Sequence, residues 1–476
     1  MGTTSIKKAV LINSVAKYSN VIIQLVINSI LARLLTPKDF GIVAVIMVFI
    51  SFFNILADMG IGPAIIQNKE LDDKNISDIF LFTIFSAIAM SIAFAIFSYG
   101  IAAFYDDSIY IKLGRLLSLS VFFNIANIVP NSLMLKQKEF KTIGMTAVSV
   151  NLIVGSITIM LAMKGASYYA LIINSIITNL LLFSINFRNS KIKIYFNYRR
   201  ESIKLIRSYS IYQFGFNFIN YFSRNLDNIL IGKFIGKDSL GFYDKAYKLM
   251  LYPLQNLTFV ITPVLHPILS EHQNDKEIIY SYFIKVIKLL SLIGIYVGII
   301  CFFCSNEIIR ILYGKGWDNS IPAFKILSFS IWVQIISSCS GSIFQATGRT
   351  KELFKCGVVT SICTVTGILL GVSTKNIEYV SIGVVAAFFI NFGVICYILV
   401  YGVFQKSIMN FIKNLYSSII IAGLMIFVLS IIQIKIENSL ISVLIKGVIG
   451  TIVYLFGLFI TKEYIFIKHV LRRKHE

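Results

Sequence analysis

Near the start of the chain, Asn13, Lys17, Asn20, Gln24 and Asn28 follow one another at intervals of three or four residues. At about 3.6 residues per helical turn, that spacing gathers them into one polar stripe. A second set, Asn217, Asn220, Arg224, Asp227 and Asn228, repeats the pattern further along. Amides and cations of this kind can replace water around phosphates and hydroxyls, and Arg adds a bidentate fork for an anion. Arg224 and Asp227 are three residues apart, close enough to pair on one helix face. Arg33, Lys245 and Lys248 bring further positive charge near helix ends. Asp58 stands alone in an apolar run, just before Gly60, Gly62 and Pro63. With Asp227, it is a carboxylate able to carry a coupling proton or cation. Bland alternatives exist for each. The first stripe equally suits a packed seam between helices with Lys17 snorkelling, Asp58 suits a helix end, and Lys245 and Lys248 also suit snorkelling.

The elements that must position these residues are membrane helices. The 476 residues are 57% hydrophobic and only 14% charged, with a mean hydropathy of +0.79. A water-soluble chain of this length has too little polar surface to cover so much apolar material. Apolar runs of about 20 residues recur throughout, the length needed to cross a hydrocarbon core of about 30 Å. The expected fold is all-α and polytopic, with about fourteen spans near 10–34, 40–66, 76–104, 111–134, 140–163, 166–187, 209–235, 239–269, 279–304, 321–346, 352–374, 376–404, 413–433 and 438–468. Lys7 and Lys8 precede a long apolar stretch with no small-residue cleavage site, which reads as a retained first helix. An even helix count puts both termini on one side, and the Lys and Arg bias makes that side cytoplasmic. The net charge of +21 is then topological and implies no nucleic-acid partner. Its densest cluster, Arg188, Lys191, Lys193, Arg199, Arg200, Lys204 and Arg207, should face anionic lipid headgroups.

An internal repeat appears at an offset of 200. Asn20 pairs with Asn220, Asn28 with Asn228, Gly41 with Gly241, Ile61 with Ile261 and Pro63 with Pro263, while Arg33 matches Lys233 in sign. The offset is an even number of helices, so the repeat is parallel, about an axis along the membrane normal. The expected organisation is an N-terminal lobe of six helices (1–190), a basic cytoplasmic connector (191–208), a C-terminal lobe of six (209–404), and two appended helices with a tail (405–476). The two pseudo-symmetric lobes would face a central space. Pro253, Pro263 and Pro267 should break the eighth helix.

Enzyme chemistry finds little to use. Gly232 to Asp238 lacks the spacing and the Ser or Thr of a nucleotide loop. The four histidines, His266, His272, His469 and His475, have no metal-ligand spacing. The six cysteines lie in or beside apolar helices, and Cys301 and Cys304 form a lone pair of the C-x-x-C type, best explained as packing. Asp72-Asp73 and Asp106-Asp107 read as solvated loop carboxylates. No catalytic residue, metal or cofactor is expected.

Two segments carry a family resemblance. Leu31 to Asn68 (LARLLTPKDFGIVAVIMVFISFFNILADMGIGPAIIQN) holds an R-x-L-x-P-x-x-[FY]-G turn at Arg33 to Gly41. Arg224 to Ser270 opens with an N-x-D-N-x-x-[IL]-G run at Asn225 to Gly232, and the Trp317 to Gly348 stretch agrees more loosely. The chain resembles Wzx-type polysaccharide flippases, in the polysaccharide transport branch of the multidrug/oligosaccharidyl-lipid/polysaccharide exporter superfamily, over most of its length. That resemblance implies a V-shaped bundle of two six-helix lobes plus two helices. It further implies movement of undecaprenyl-pyrophosphate-linked oligosaccharide across a bacterial cytoplasmic membrane by alternating access, for surface polysaccharide biosynthesis alongside a polymerase and assembly proteins. The preferred cavity residues become Arg224, Asp227 and Asn228 with Lys17 and Asn20. Gln24, Asn28, Arg33, Asn220, Lys245 and Lys248 complete the lining. A cation-coupled drug or metabolite exporter of the same superfamily is the main alternative, and a membrane polysaccharide polymerase the second. The excess of internal Lys and Arg favours an anionic cargo, and the longest external connector, about Ser305 to Ser320, is short for a polymerase.

Overall fold

The computed structural model describes residues 3–195 apart from 59 and 69, residue 221, and residues 224–271, 275–432, 436 and 438–472. Asn217, Asn220, His272, His475 and the connector beyond residue 195 lie outside these, as does the side chain of Asn13. The fold is 88% helical, without strands among the described residues. Among the described residues, ten helices are long and apolar enough to cross a membrane, or eleven if the bent pair Lys315–Ser328 and Ser330–Phe344 makes one span. Among the described residues, the expected spans at Thr3–Leu34 and Lys237–Glu271 stay outside this set, and the one expected at 209–235 lies largely outside the described residues. The two described helices hold Lys17, Asn20, Gln24, Asn28, Arg33, Lys245 and Lys248, polar side chains of the kind that lower a helix's apolarity.

The chain divides into two compact units, Met1–Gly241 and Phe242–Glu476. The first holds α1 (Thr3–Leu34), α2 (Pro37–Asp58), α3 (Ile61–Gln67), α4 (Asp73–Tyr105), α5 (Ile109–Ala126), α6 (Ile128–Lys136), α7 (Phe140–Met163) and α8 (Tyr168–Ser190). It also includes a helix at 224–234, here α9, and the first turn of α10 (Lys237–Glu271). The span expected at 40–66 is split. Gly60 sits at φ 77°, in the left-handed region that favours glycine, and ends α2. The Asp58 carboxylate accepts from the N–H of Gly62 (3.4 Å), covering an orphan donor at the start of α3.

The second unit takes up the rest of α10, then α11 (Lys276–Phe303), α12 (Ser305–Leu312), α13 (Ile321–Ser328), α14 (Ser330–Ser337), α15 (Ser340–Ala346), α16 (Thr350–Ser373), α17 (Ile377–Cys396), α18 (Ile408–Ile431), α19 (Ser439–Ile460) and α20 (Glu463–Arg472). Here the structure corrects several expectations. α10 runs unbroken through Pro253, Pro263 and Pro267. Membrane helices tolerate proline because local adjustment re-satisfies the freed carbonyls. The last span ends at Ile460 and turns at Lys462 (φ 59°) into α20. The Ser305–Ser320 connector is not a loop. It forms α12 and a tight 3-10 turn at Lys315–Ser320, stapled by a bidentate Arg310–Asp318 pair at 3.0 and 2.9 Å. All six cysteines are free thiols.

Candidate functional site

The candidates of the first unit fall into two settings. On α1, Asn20 accepts from the Nδ2 of Asn151 on α7 at 2.5 Å, so this part of the stripe is an interhelical seam. Asn28 donates to the carbonyl of Gln24 (2.9 Å), and Arg33 to the Ser29 hydroxyl (2.9 Å). Lys17 and Gln24 are half-buried, and Arg33 is exposed. On α9 the polarity is divided. Arg224 is exposed, whereas Asp227 is only 2% exposed. No ion pair joins Arg224 to Asp227 among the described residues, so three-residue spacing did not bring them together. Asp227 Oδ1 accepts from the N–H of Asn228 (2.8 Å). The Oδ1 of Asn228 is buried and accepts no hydrogen bond among the described residues.

α9 is fixed in the first unit by contacts that its sequence does not advertise. Tyr221 donates its hydroxyl to the carbonyl of Val48, and Tyr105 donates to the carbonyl of Ile229 at 3.1 Å. Lys233 pairs with Asp106 at 2.6 Å, and Lys237 with Asp107. Asp107 is therefore a half-buried ion-pair partner of the α9–α10 turn, whereas Asp106, 80% exposed in its pair with Lys233, remains a solvated loop carboxylate. Long-range topology decides this, which a loop's composition cannot reveal. Burial pushes the Asp107 carboxyl up, but the hydrogen bond and charge of Lys237 outweigh it and hold it below the ordinary carboxylate value.

Beside these pairs, the offset-200 repeat becomes a physical contact. A Cβ on Gly41 would lie 1.8 Å from the carbonyl oxygen of Lys237, and one on Gly241 would lie 2.0 Å from that of Pro37. Each glycine thus meets the residue that begins the other's helix, and positions 37 and 237 are themselves 200 apart. Asp39, buried in the same region, accepts from the N–H and hydroxyl of Thr36 at 2.9 and 2.7 Å, from the hydroxyl of Ser167, and from the N–H of Tyr168 at 3.2 Å.

Sequence reasoning missed a polar ladder joining α5 and α6 to α8. Ser120 bonds with Ser175 at 2.8 Å and accepts from Asn179 at 2.7 Å. Asn124 donates to Asn179 at 3.3 Å, and Asn186 to Asn127 at 3.0 Å. Ser120, Asn124 and Asn127 are spaced by four and three, a signal available in the sequence. Such side chains hold membrane helices together.

In the second unit, Lys245 is buried, only 4% exposed, with its ammonium 5.2 Å from the ring centre of Tyr313 and 5.8 Å from that of Trp317. The two ring faces offset part of the cost of desolvating this ammonium. Lys248 pairs with Asp244 at 2.7 Å and is largely exposed. No cluster of three or more metal-ligating side chains exists among the described residues.

A polytopic helical bundle, with its polar groups concentrated on the least apolar helices, has the architecture of a membrane transporter. Over residues 30–322 the chain matches the family described as polysaccharide biosynthesis protein, and it belongs to that family. Among curated relatives, the teichuronic acid biosynthesis protein TuaB of Bacillus subtilis is 25% identical over 70% of this chain and 69% of its own length. The lipopolysaccharide biosynthesis protein WzxC of Escherichia coli is 24% identical over 82% of this chain and 80% of its own. The lipid II flippase MurJ, in an inward closed conformation, superposes with a TM-score of 0.75 at 18% identity, covering 96% of this chain and all (100%) of that one. An inward-facing multidrug resistance MATE family transporter superposes at 0.61, with 12% identity over 87% of this chain and 96% of that one.

Proposed function

We propose that this protein is a flippase carrying undecaprenyl-pyrophosphate-linked oligosaccharide repeat units from the inner to the outer leaflet of a bacterial cytoplasmic membrane, for surface polysaccharide synthesis. The observation that carries the proposal is the polarity of α1, α9 and α10 within a family of polysaccharide biosynthesis proteins. A purely structural bundle gains nothing from placing Lys17, Arg224, Lys245 and Lys248 on its least apolar helices, whereas a hydrated, anionic headgroup needs such groups in place of water. The relatives TuaB and WzxC, named for teichuronic acid and lipopolysaccharide, support a glycan cargo. The exposed guanidinium of Arg224 is available to a pyrophosphate as a bidentate donor. Two lobes related by the 200-residue repeat would supply alternating access.

The test is the sidedness of lipid-linked oligosaccharide in cells depleted of the protein, with surface glycan and drug susceptibility scored in parallel. Intact precursor accumulating on the inner leaflet, with surface glycan lost, is the expected result. Unchanged precursor with altered drug susceptibility would instead establish the cation-coupled exporter reading, which rests on Asp58 and the buried Asp227. Arg224→Ala should abolish precursor transport at normal protein levels, and Arg224→Lys should restore it partly, because a lysine cannot make the two-pronged contact.

A further inference from the structure

In the second unit, a cleft of about 500 Å³ opens between the first turns of α11 and those of α18, with Lys285, Lys406, Asn410 and Asn414 in its walls. The two ammonium groups and the Asn410 carboxamide are donors for a phosphate, while Asn414 donates to the carbonyl of Asn410 at 2.7 Å, and a headgroup-sized volume is available. Ile284 forms part of the same wall. Beyond the cleft, α18 exposes Met409, Ile412, Tyr416 and Ile419. A molecule held here would therefore have its anionic end among the donors and an apolar track beside it. This is the pattern of a lipid, not of a soluble phosphate.

The backbone positions Lys406 deliberately. A π-helical turn at Tyr397–Val403 ends α17, Gln405 follows in the left-handed region at φ 54°, and the N–H of Lys406 bonds to the carbonyl of Val400 at 2.9 Å. π-turns and non-glycine residues in this region are costly, and they concentrate where a side chain must be aimed. Lys406 now pairs with Glu277 at 2.6 Å, but Glu277 is 73% exposed. An exposed pair is worth about 0–1 kcal/mol, so a phosphate can displace that carboxylate. The N-terminus of α11 is not the anion site, because Asp275 already accepts from the N–H groups of Glu277 and Ile278, each at 3.0 Å.

We propose that this cleft binds the headgroup phosphate of a net-anionic lipid through Lys285 and Lys406, and discriminates against a zwitterionic headgroup whose own cation neutralises its phosphate. The site lies within the second unit, and the inference does not rest on the proposed cargo.

Native mass spectrometry of the full chain, titrated with phosphatidylglycerol, phosphatidylcholine and farnesyl pyrophosphate, tests it. Lys285→Gln with Lys406→Gln should weaken phosphatidylglycerol binding about tenfold or more and leave phosphatidylcholine unchanged. Glu277→Gln should strengthen phosphatidylglycerol binding several-fold by removing the competing carboxylate. Competition by farnesyl pyrophosphate would support the site with a polyprenyl phosphate as its occupant. Its failure to compete would support it with a resident phospholipid. Equal losses for the two phospholipids, or no loss in the lysine variant, would overturn the site. If the lysine variant does not fold, a Glu277→Gln protein that binds phosphatidylglycerol no better than wild type overturns it independently.

Discussion

Adding one methyl group at Gly41 or Gly241 tests the contact on which the repeat closes. The Cβ of alanine would lie 1.8 Å from the Lys237 carbonyl oxygen at one position and 2.0 Å from that of Pro37 at the other. Unlike a flexible side chain, a helix backbone cannot swing aside. Ordinary contact requires about 3.5 Å, so the two helix starts must separate by about 1.5 Å. Overpacking of this kind costs about 1–3 kcal/mol, which shifts a two-state equilibrium by about 5- to 150-fold against the closed contact. Spin labels at Lys38 and Asp238, both exposed, in a cysteine-free background would report it by double electron–electron resonance. Wild-type protein should give one short distance, and each alanine variant a longer or broader distribution with a lower Tm. One substitution already opens the space the other needs, so the double variant should cost less than the sum of the singles. Strictly additive stabilities with wild-type distances in all three proteins would show that the helix starts do not meet.

Three further outcomes follow from the buried polar pairs. Glu307 pairs with Lys446 at 2.5 Å and accepts from Ser442 at 2.7 Å, and although burial raises its carboxyl, these bonds hold it below the ordinary value. A depressed carboxyl contributes stability that is present above the unfolded pKa and lost as pH falls through the folded one. Thermal unfolding should therefore show an acid-side loss of Tm that Glu307→Gln reduces, at a cost of about 3 kcal/mol near neutrality for the stranded Lys446. Pairing Glu307→Gln with Lys446→Met should recover much of that cost, and failure to recover it in the same unfolding assay would discount the ion pair. Asn20→Ala and Asn151→Ala should each destabilise by about 0.6–1.7 kcal/mol and couple in a double-mutant cycle, whereas zero coupling would mean that the seam is open.

Local patterns made much of this protein legible. Hydropathy and helical periodicity depend only on near neighbours, so they located most of the apolar spans and the break before α3. The same local information misjudged groups whose partners lie far away. Asp107 reads as a solvated loop residue, but the fold brings Lys237 to it from more than a hundred residues later in sequence and half-buries it. Arg224 and Asp227 share the right spacing but not an ion pair, because packing buries one and exposes the other. Proline in α10 signalled a break that the helix does not make.

What the sequence by itself determined was the class of element and the face on which polarity lies, because both follow from short-range geometry and transfer free energy. Only the tertiary structure decided which polar side chains became seams, as Asn20 did with Asn151, and which stayed exposed, as Arg224 did. A hydrogen-bond partner is chosen by the packing of whole helices, and no single helix carries that information.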